Sequence, residues 1–196
     1  MHSVFLNYRK GDSSALAGFL YEELSRHLGE GVVFYASESI RAGYDFTELM
    51  LPAVRTCPVL LAVIGPQWLD MRERHSDVRR IDHPDDWVRR EIAEALRRNH
   101  CVIPVLVEGA RMPHSSELPE DIAALARRQY RMVQYRDTTA SVRRLADDIA
   151  RNIPGFRPKR ERRLSTDTLS VHQQGVVGGS GALTQIGRDQ YNGGGF

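Results

Sequence analysis

The sequence predicts an α/β fold: a five-stranded parallel sheet with helices on both faces, followed by a disordered C-terminal tail. Three features of the 196-residue chain carry that expectation. Short, continuous apolar runs such as Pro58–Ile64 and Cys101–Val107 have the pattern of strands buried on both faces. Segments with helical periodicity alternate with those runs, which requires crossover connections. After Pro154 the composition turns basic and then glycine-rich, so no further core can form there.

The elements follow in order. Ser3–Tyr8 is a short apolar strand bounded by the polar cluster Lys10–Ser14. Ser13 or Ser14 caps a helix whose apolar stripe takes in Leu16, Phe19, Leu20, Leu24 and Leu28, and Gly29 and Gly31 end it. Val32–Tyr35 is the second strand, and Ala36–Asp45 reads as a polar loop. Phe46–Thr56 reads as a short helix in which Pro52 must sit near the start or bend the axis. Pro58–Ile64 is the third strand, stopped by Gly65 and Pro66, and residues 70–85 are polar and irregular. Asp85 or Asp86 caps a helix that runs to about Asn99. Cys101–Val107 is the fourth strand, with Pro104 tolerable only at an edge or a bulge. A short helix near Pro119–Arg128, a strand Arg131–Tyr135 and a helix from Asp137–Thr139 to about Asn152 complete the series. In such a sheet ligands bind beyond the carboxyl ends of the strands, at the switch point. The loops after Tyr8, Tyr35 and Ile64 are therefore where chemistry is expected.

Three regions result: a folded domain over 1–153, a basic linker over 154–172 and a glycine-rich tail over 173–196. The formal net charge of +2 is too small to argue for nucleic acid. It is also uneven, with six basic and three acidic side chains after residue 153 against 21 and 22 before it. No apolar run reaches the ~18 residues of a spanning helix. The N-terminus lacks the pattern of a secretory signal. Cys57 and Cys101 read as thiols buried in a reducing cytoplasm, too few for a disulfide scaffold or a cysteine zinc site. These features point to a cytoplasmic protein without nucleic-acid or membrane partners.

Familiar catalytic and phosphate-binding patterns are missing. GxxxxGK[ST], GxGxxG after a strand, HExxH and GxSxG do not occur. His75, Asp77, Asp82, His83, Asp85 and Asp86 cluster, but a solvated polar loop accounts for them better than a metal, and no metal is expected.

The informative stretch is Asp86–Leu96, DWVRREIAEAL. On a helix, Trp87 and Glu91 lie four apart and share a face, while Val88, Ile92, Ala95 and Leu96 form the core stripe. A carboxylate at the edge of an apolar face and beside a tryptophan is partly desolvated, which raises its pKa and suits catalysis. Simple pairing of Glu91 with a nearby arginine is the structural alternative, and spacing does not decide between them.

Several stretches in the same order resemble one family. They are VFLNYRKGDS (Val4–Ser13), VVFYASESIRAGYDF (Val32–Phe46), CPVLLAVIGPQWL (Cys57–Leu69), DWVRREIAEAL, VIPVLVEGARMP (Val102–Pro113) and LPEDIAALA (Leu118–Ala126). Together they resemble a Toll/interleukin receptor (TIR) domain of the bacterial type, over roughly residues 1–153. The resemblance implies a flavodoxin-like sheet and, as in many members, hydrolysis of NAD at the nicotinamide–ribose bond, with NAD as substrate and no cofactor. It makes Glu91 the catalytic glutamate. It places Tyr8, Arg9, Lys10, Gly43, Phe46 and Trp87 around the substrate. In that role Arg9 and Lys10 would meet phosphates and ribose, the aromatics would meet the nicotinamide or adenine, and Gly43 would let the loop after the second strand move. Each has a plainer reading too: Tyr8, Phe46 and Trp87 as packing aromatics, Arg9 and Lys10 as an exposed basic pair. The sequence departs from the family pattern at Asn7, where serine is usual, and at Ala36, where many members carry an acid.

The tail ends GALTQIGRDQYNGGGF. Its TQIG resembles the core of RHIM-type signalling-amyloid motifs, with Thr184 in place of the usual isoleucine or valine. Thr184, Gln185, Ile186, Gly187, Gln190 and Asn192 are the residues expected to stack by amide ladders and apolar contacts. A flexible glycine-rich tail is the alternative. The expected function is an NAD-consuming TIR effector of bacterial immunity or programmed cell death. It would self-associate through the TIR domain and tail, and be activated by an upstream sensor bearing a matching motif. A non-catalytic TIR adaptor signalling by assembly is the competing reading. A phosphoacceptor receiver is disfavoured, because the first and third strands end without an aspartate.

Overall fold

The structure, a computed structural model, describes residues 2–39, 46–73, 77–134 and 137–156. All of these fall within the first of two units, Met1–Arg160 and Glu161–Phe196. Gly43, the linker beyond Phe156 and the six tail residues proposed to stack lie outside the described residues.

Five strands form one sheet in the order β2-β1-β3-β4-β5, every pairing parallel. They are β1 (Val4–Asn7), β2 (Val33–Phe34), β3 (Val59–Ile64), β4 (Cys101–Val107) and β5 (Arg131–Val133). The long helices are α1 (Ser14–Leu28), α3 (Phe46–Thr56), α4 (Trp87–Arg97) and α5 (Thr138–Asn152), and a one-turn α2 (Ala36–Ser39) follows β2. This is the flavodoxin-like order, whose switch point lies between β1 and β3.

Strand alternation sorts the core into two layers. Val4 and Leu6 of β1 face α1 and α5, joining Val59, Leu61, Leu20, Leu24, Leu145 and Ile149. Phe5 faces the other way, with Leu60, Ala62, Val54, Val88, Ile92 and Ile122. Asn7 is two residues beyond Phe5 and shares its face, so a polar side chain enters the α4 layer at the carboxyl end of β1.

The structure adjusts the sequence reading at several points. α1 buries Ala17, Leu20, Leu24 and Leu28, while Phe19 is 36% exposed and Leu16 only partly covered. Ser13 stands at the N-cap without a side-chain capping bond, and the Ser14 hydroxyl instead accepts from the Gly11 N–H. Gly29 ends α1 at φ 110°, a backbone conformation that side chains disfavour. The expected loop after β2 begins as α2, and Pro52 lies inside α3 rather than at its start. Burial of Val54 and packing of Met50 and Ala53 hold that helix together despite the missing donor. The irregular stretch contains a 3₁₀ turn, Arg80–Asp82. The segment Glu120–Arg127 is 3₁₀ rather than α. β4 is an interior strand in unbroken register with β3, contrary to the edge or bulge expected from Pro104. Its pairing with β5 begins only at Val105, so at Pro104 the strand has a partner on β3 alone, the local condition of an edge.

At the switch point the loops after β1 and β3 are tied together. The Asp12 carboxylate accepts from the N–H groups of Gly65 (3.1 Å) and Gln67 (2.8 Å). A Cβ on Gly65 would sit 2.7 Å from the Asp12 carboxyl carbon. Gly65→Ala must therefore displace the clamp. The expected cost is about 1–2 kcal/mol, read as a lower urea midpoint at unchanged slope. An unchanged midpoint would show that the clamp contributes nothing.

Candidate active site

Glu91 lies within the buried stripe of α4, with Val88, Ile92 and Ala95, and is 3% exposed. The sequence put it at the edge of the apolar face; the fold puts it inside. Asn7 at the end of β1 explains how a carboxyl is tolerated there. Its Nδ2 donates to Glu91 Oε2 at 2.7 Å and to the Val88 carbonyl at 3.2 Å. Burial still dominates and pushes the Glu91 carboxyl up to about 8. The Asn7 bond opposes that rise, the nearby Asp86 carboxylate adds to it and Arg90 counters it.

Glu94, three residues along the same helix, has the opposite fate. Arg55, Arg97 and Arg98 converge on its carboxylate at 2.8 Å each. Hydrogen bonds from these arginines, Arg98 first, hold it down at about 2 despite some desolvation. Glu94 is thus a fixed anion on the outer face, and Glu91 is a carboxyl able to change protonation near neutrality. Two chemically identical side chains are given different roles by their surroundings.

The start of α4 is anchored by a buried ion pair. Arg9 donates to Asp86 twice, Nη1 to Oδ2 at 2.8 Å and Nη2 to Oδ1 at 3.0 Å. Asp86 is also the N-cap and accepts from the Arg89 N–H at 3.0 Å. Arg9 is 1% exposed and lies 5.9 Å from the centre of the fully buried Trp68 ring. The guanidinium expected to meet phosphates therefore fastens α4 to the end of β1 instead. It is buried, and so is not half of an exposed basic pair.

The other expected site residues divide. Lys10 is exposed beside the same strand end. Tyr8 packs on the α1 layer, with its ring 5.3 Å from that of Tyr35. Trp87 is half-buried at the first position of α4, and the Arg90 guanidinium lies 4.3 Å from its ring centre. Phe46 opens α3; its side chain, like all of Gly43, lies outside what is described. The structure thus gathers Asn7, Arg9, Asp86 and Glu91 at the β1 end, with Trp87 on the same helix. Asp86 was legible only as a cap, and Asn7 only as a departure from a pattern. Contacts spanning 77 and 84 residues leave no local mark in the sequence.

A concavity lies apart from these residues. A cavity of about 790 Å³ opens between α1, α5 and the carboxyl ends of β4 and β5, lined by Leu16, Phe19, Leu106, Met132 and Thr139 among others. None of the expected site residues lines it. Among the described residues no group of three or more His, Cys, Asp or Glu side chains is arranged to hold a metal, and no helix is long and apolar enough to cross a membrane. Cys57 and Cys101 are free thiols, and burial pushes Cys57 up to about 12, so it is unreactive at neutral pH.

Comparison with known proteins agrees with this architecture. The "NAD(+) hydrolase sarm1" of Drosophila melanogaster is 32% identical over 123 residues, which is 63% of this chain. The same stretch is 8% of that protein, so the chain spans less than a tenth of its relative's length. The TIR domains of the activated Roq1 resistosome, which directly recognises the pathogen effector XopQ, share the fold with a TM-score of 0.55 at 13% identity. That likeness covers 76% of this chain and 99% of the other. Residues 4–146 match the family described as TIR domain. With that match running from the first strand into the last helix of a 2-1-3-4-5 parallel sheet, the chain belongs to the TIR domain family.

Proposed function

We propose that this TIR domain is an NAD glycohydrolase in which Glu91 is the catalytic carboxylate. The observation that carries the reading is a buried carboxyl, poised near neutrality at the switch point of the sheet and held by a side chain from the neighbouring strand. The name of the 32%-identical relative supports the choice of substrate.

The chemistry needs little machinery. The bond between ribose C1′ and the pyridinium nitrogen breaks, and its electron pair leaves with neutral nicotinamide, so no general acid is required. An oxocarbenium-like C1′ remains, which ionised Glu91 stabilises electrostatically. Water adds at C1′ and loses a proton, giving ADP-ribose. Capture by the adenine ring in place of water gives a cyclic isomer. NAD is substrate, and neither metal nor further cofactor takes part. Lys10 offers a cation for the phosphates. Tyr8, Phe46 and Trp87 offer aromatic surface, and Gly43 offers freedom to the loop carrying it.

Near-complete burial of Glu91 and the engagement of Arg9 support a free chain of low activity, completed by neighbours. The reading therefore includes activation by assembly, in a cytoplasmic effector of bacterial immunity or programmed cell death. The stacking residues are Thr184, Gln185, Ile186, Gly187, Gln190 and Asn192, templated by a sensor with a matching motif.

The test is chromatographic loss of NAD and release of nicotinamide by the full chain, soluble and assembled, beside a chain ending at Pro154. Release that rises on assembly, and is lost with the tail, is the expected result. A truncated chain equally active and equally activatable overturns the tail's role. No release in any state overturns the enzyme and leaves the adaptor.

A further inference from the structure

Asn7 is fully buried, and its amide makes two bonds with one nitrogen, to Glu91 Oε2 and to the Val88 carbonyl. Its other end, Oδ1, is buried without a hydrogen-bond partner. That asymmetry has a chemical meaning. Both N–H groups of the amide are used, and the one on Glu91 Oε2 is strongest when that carboxyl is ionised. A Glu91 protonated on Oε1 would accept this bond more weakly, and one protonated on Oε2 would present an O–H that Oδ1 could meet only after the amide turned over. The turned amide would also give up its bond to the Val88 carbonyl. The observed orientation therefore favours the carboxylate form, the stronger acceptor.

We propose that Asn7 is the positioning residue of the site, whose amide selects the ionised form of Glu91 and fixes the direction of its carboxylate relative to the end of β1. This rests on the reading of Glu91 as the catalytic carboxylate. It adds a residue that acts through Glu91 and touches no substrate. Serine, usual at this position in the resemblance noted above, carries one donor and serves either Glu91 or Val88, but not both. The asparagine therefore gives this chain a tighter hold on the carboxylate than the usual residue.

The charges acting on Glu91 among the described residues are few. Asp86 disfavours its ionisation and Arg90 favours it, both at the start of α4. From β1 come Asn7 and, facing Asp86 rather than Glu91, Arg9. The α4 charges remain in place when Asn7 is changed, so a shift can be assigned to the amide.

The experiment uses the full chain and two readouts. Carboxyl ¹³C NMR of glutamate-labelled protein follows the ionisation of Glu91, with Glu91→Gln identifying its signal. Nicotinamide release from NAD is followed against pH in parallel. In Asn7→Leu, which keeps the size and removes the donor, the Glu91 titration moves to higher pH by about one unit or more. The rising limb of the rate profile moves with it, and the rate near neutrality falls more than the plateau at high pH. Asn7→Ser gives an intermediate shift and serves as the measurement if the leucine variant does not fold. A Glu91 titration unchanged in folded Asn7→Leu or Asn7→Ser overturns the proposal, as does a rate that falls equally at every pH. A shifted titration with no nicotinamide released by any variant upholds the hold of Asn7 on Glu91 and overturns the catalytic reading of Glu91 instead.

Discussion

Glu91→Gln is expected to abolish nicotinamide release and, in the same protein, to raise its stability. On the proposed reading, loss of the carboxylate removes the charge that stabilises the ribosyl centre, and an amide offers only a weak dipole in its place. An electrostatic group aimed at a developing charge is worth roughly 10²–10³ in rate when removed, and more when it is the principal one. The gain in stability follows from linkage. The carboxyl ionises near 4.5 when unfolded and is pushed up to about 8 when folded. Folding therefore takes up a proton between those values, and the folded state loses stability as pH rises through that window. The full difference corresponds to roughly 5 kcal/mol as an upper bound. Glutamine accepts the Asn7 bond without a charge to bury. Its advantage should be near zero at pH 4.5 and grow to a few kcal/mol by pH 8.5, roughly 5–10 °C in Tm. Thermal unfolding of the two proteins across that range is the measurement. Parallel Tm curves would show that Glu91 is not held against its own ionisation.

Arg9→Met is expected to destabilise the domain by about 3–5 kcal/mol, because it leaves Asp86 charged, buried and without its bidentate partner. The double variant Arg9→Met, Asp86→Ser should recover most of that loss. The serine still caps α4 through its hydroxyl, and no charge remains to be desolvated. Denaturant titration of the single and double variants gives the coupling directly. A phosphate-binding Arg9 predicts another pattern: a raised KM for NAD, little change in unfolding free energy and no rescue. The distances, both near-ideal, and the burial of both partners favour the first outcome.

These two residues mark what the sequence could and could not reveal. A strand buried on both faces leaves a continuous apolar run, so Val59–Ile64 and Cys101–Val107 were legible. Asp86 was legible as a cap because capping is local. Phe19 obeys the helical period yet lines a cavity, since period gives the direction of a side chain and not what meets it. Pro104 looked like an edge residue and sits in an interior strand, because the shortness of β5 is decided elsewhere in the chain. At the site, Glu91 and Trp87 stood out through spacing on one helix. The roles of Asn7 and Arg9 depended on which strand end meets which helix start. Basic character at Arg9 suits a phosphate and a buried aspartate equally well, and only topology separates them.

The two outermost strands have a bearing on how such a molecule can aggregate. β2 has two residues and β5 three, at opposite margins of the sheet. Margins that brief present too few free backbone groups to recruit a strand from another copy. Copies brought together at high local density would thus resist fusing their sheets into a continuous cross-β array. If the tail stacks as proposed, fibre growth stays outside the folded domains, and each domain keeps its own sheet and its own Glu91 while crowded against its neighbours.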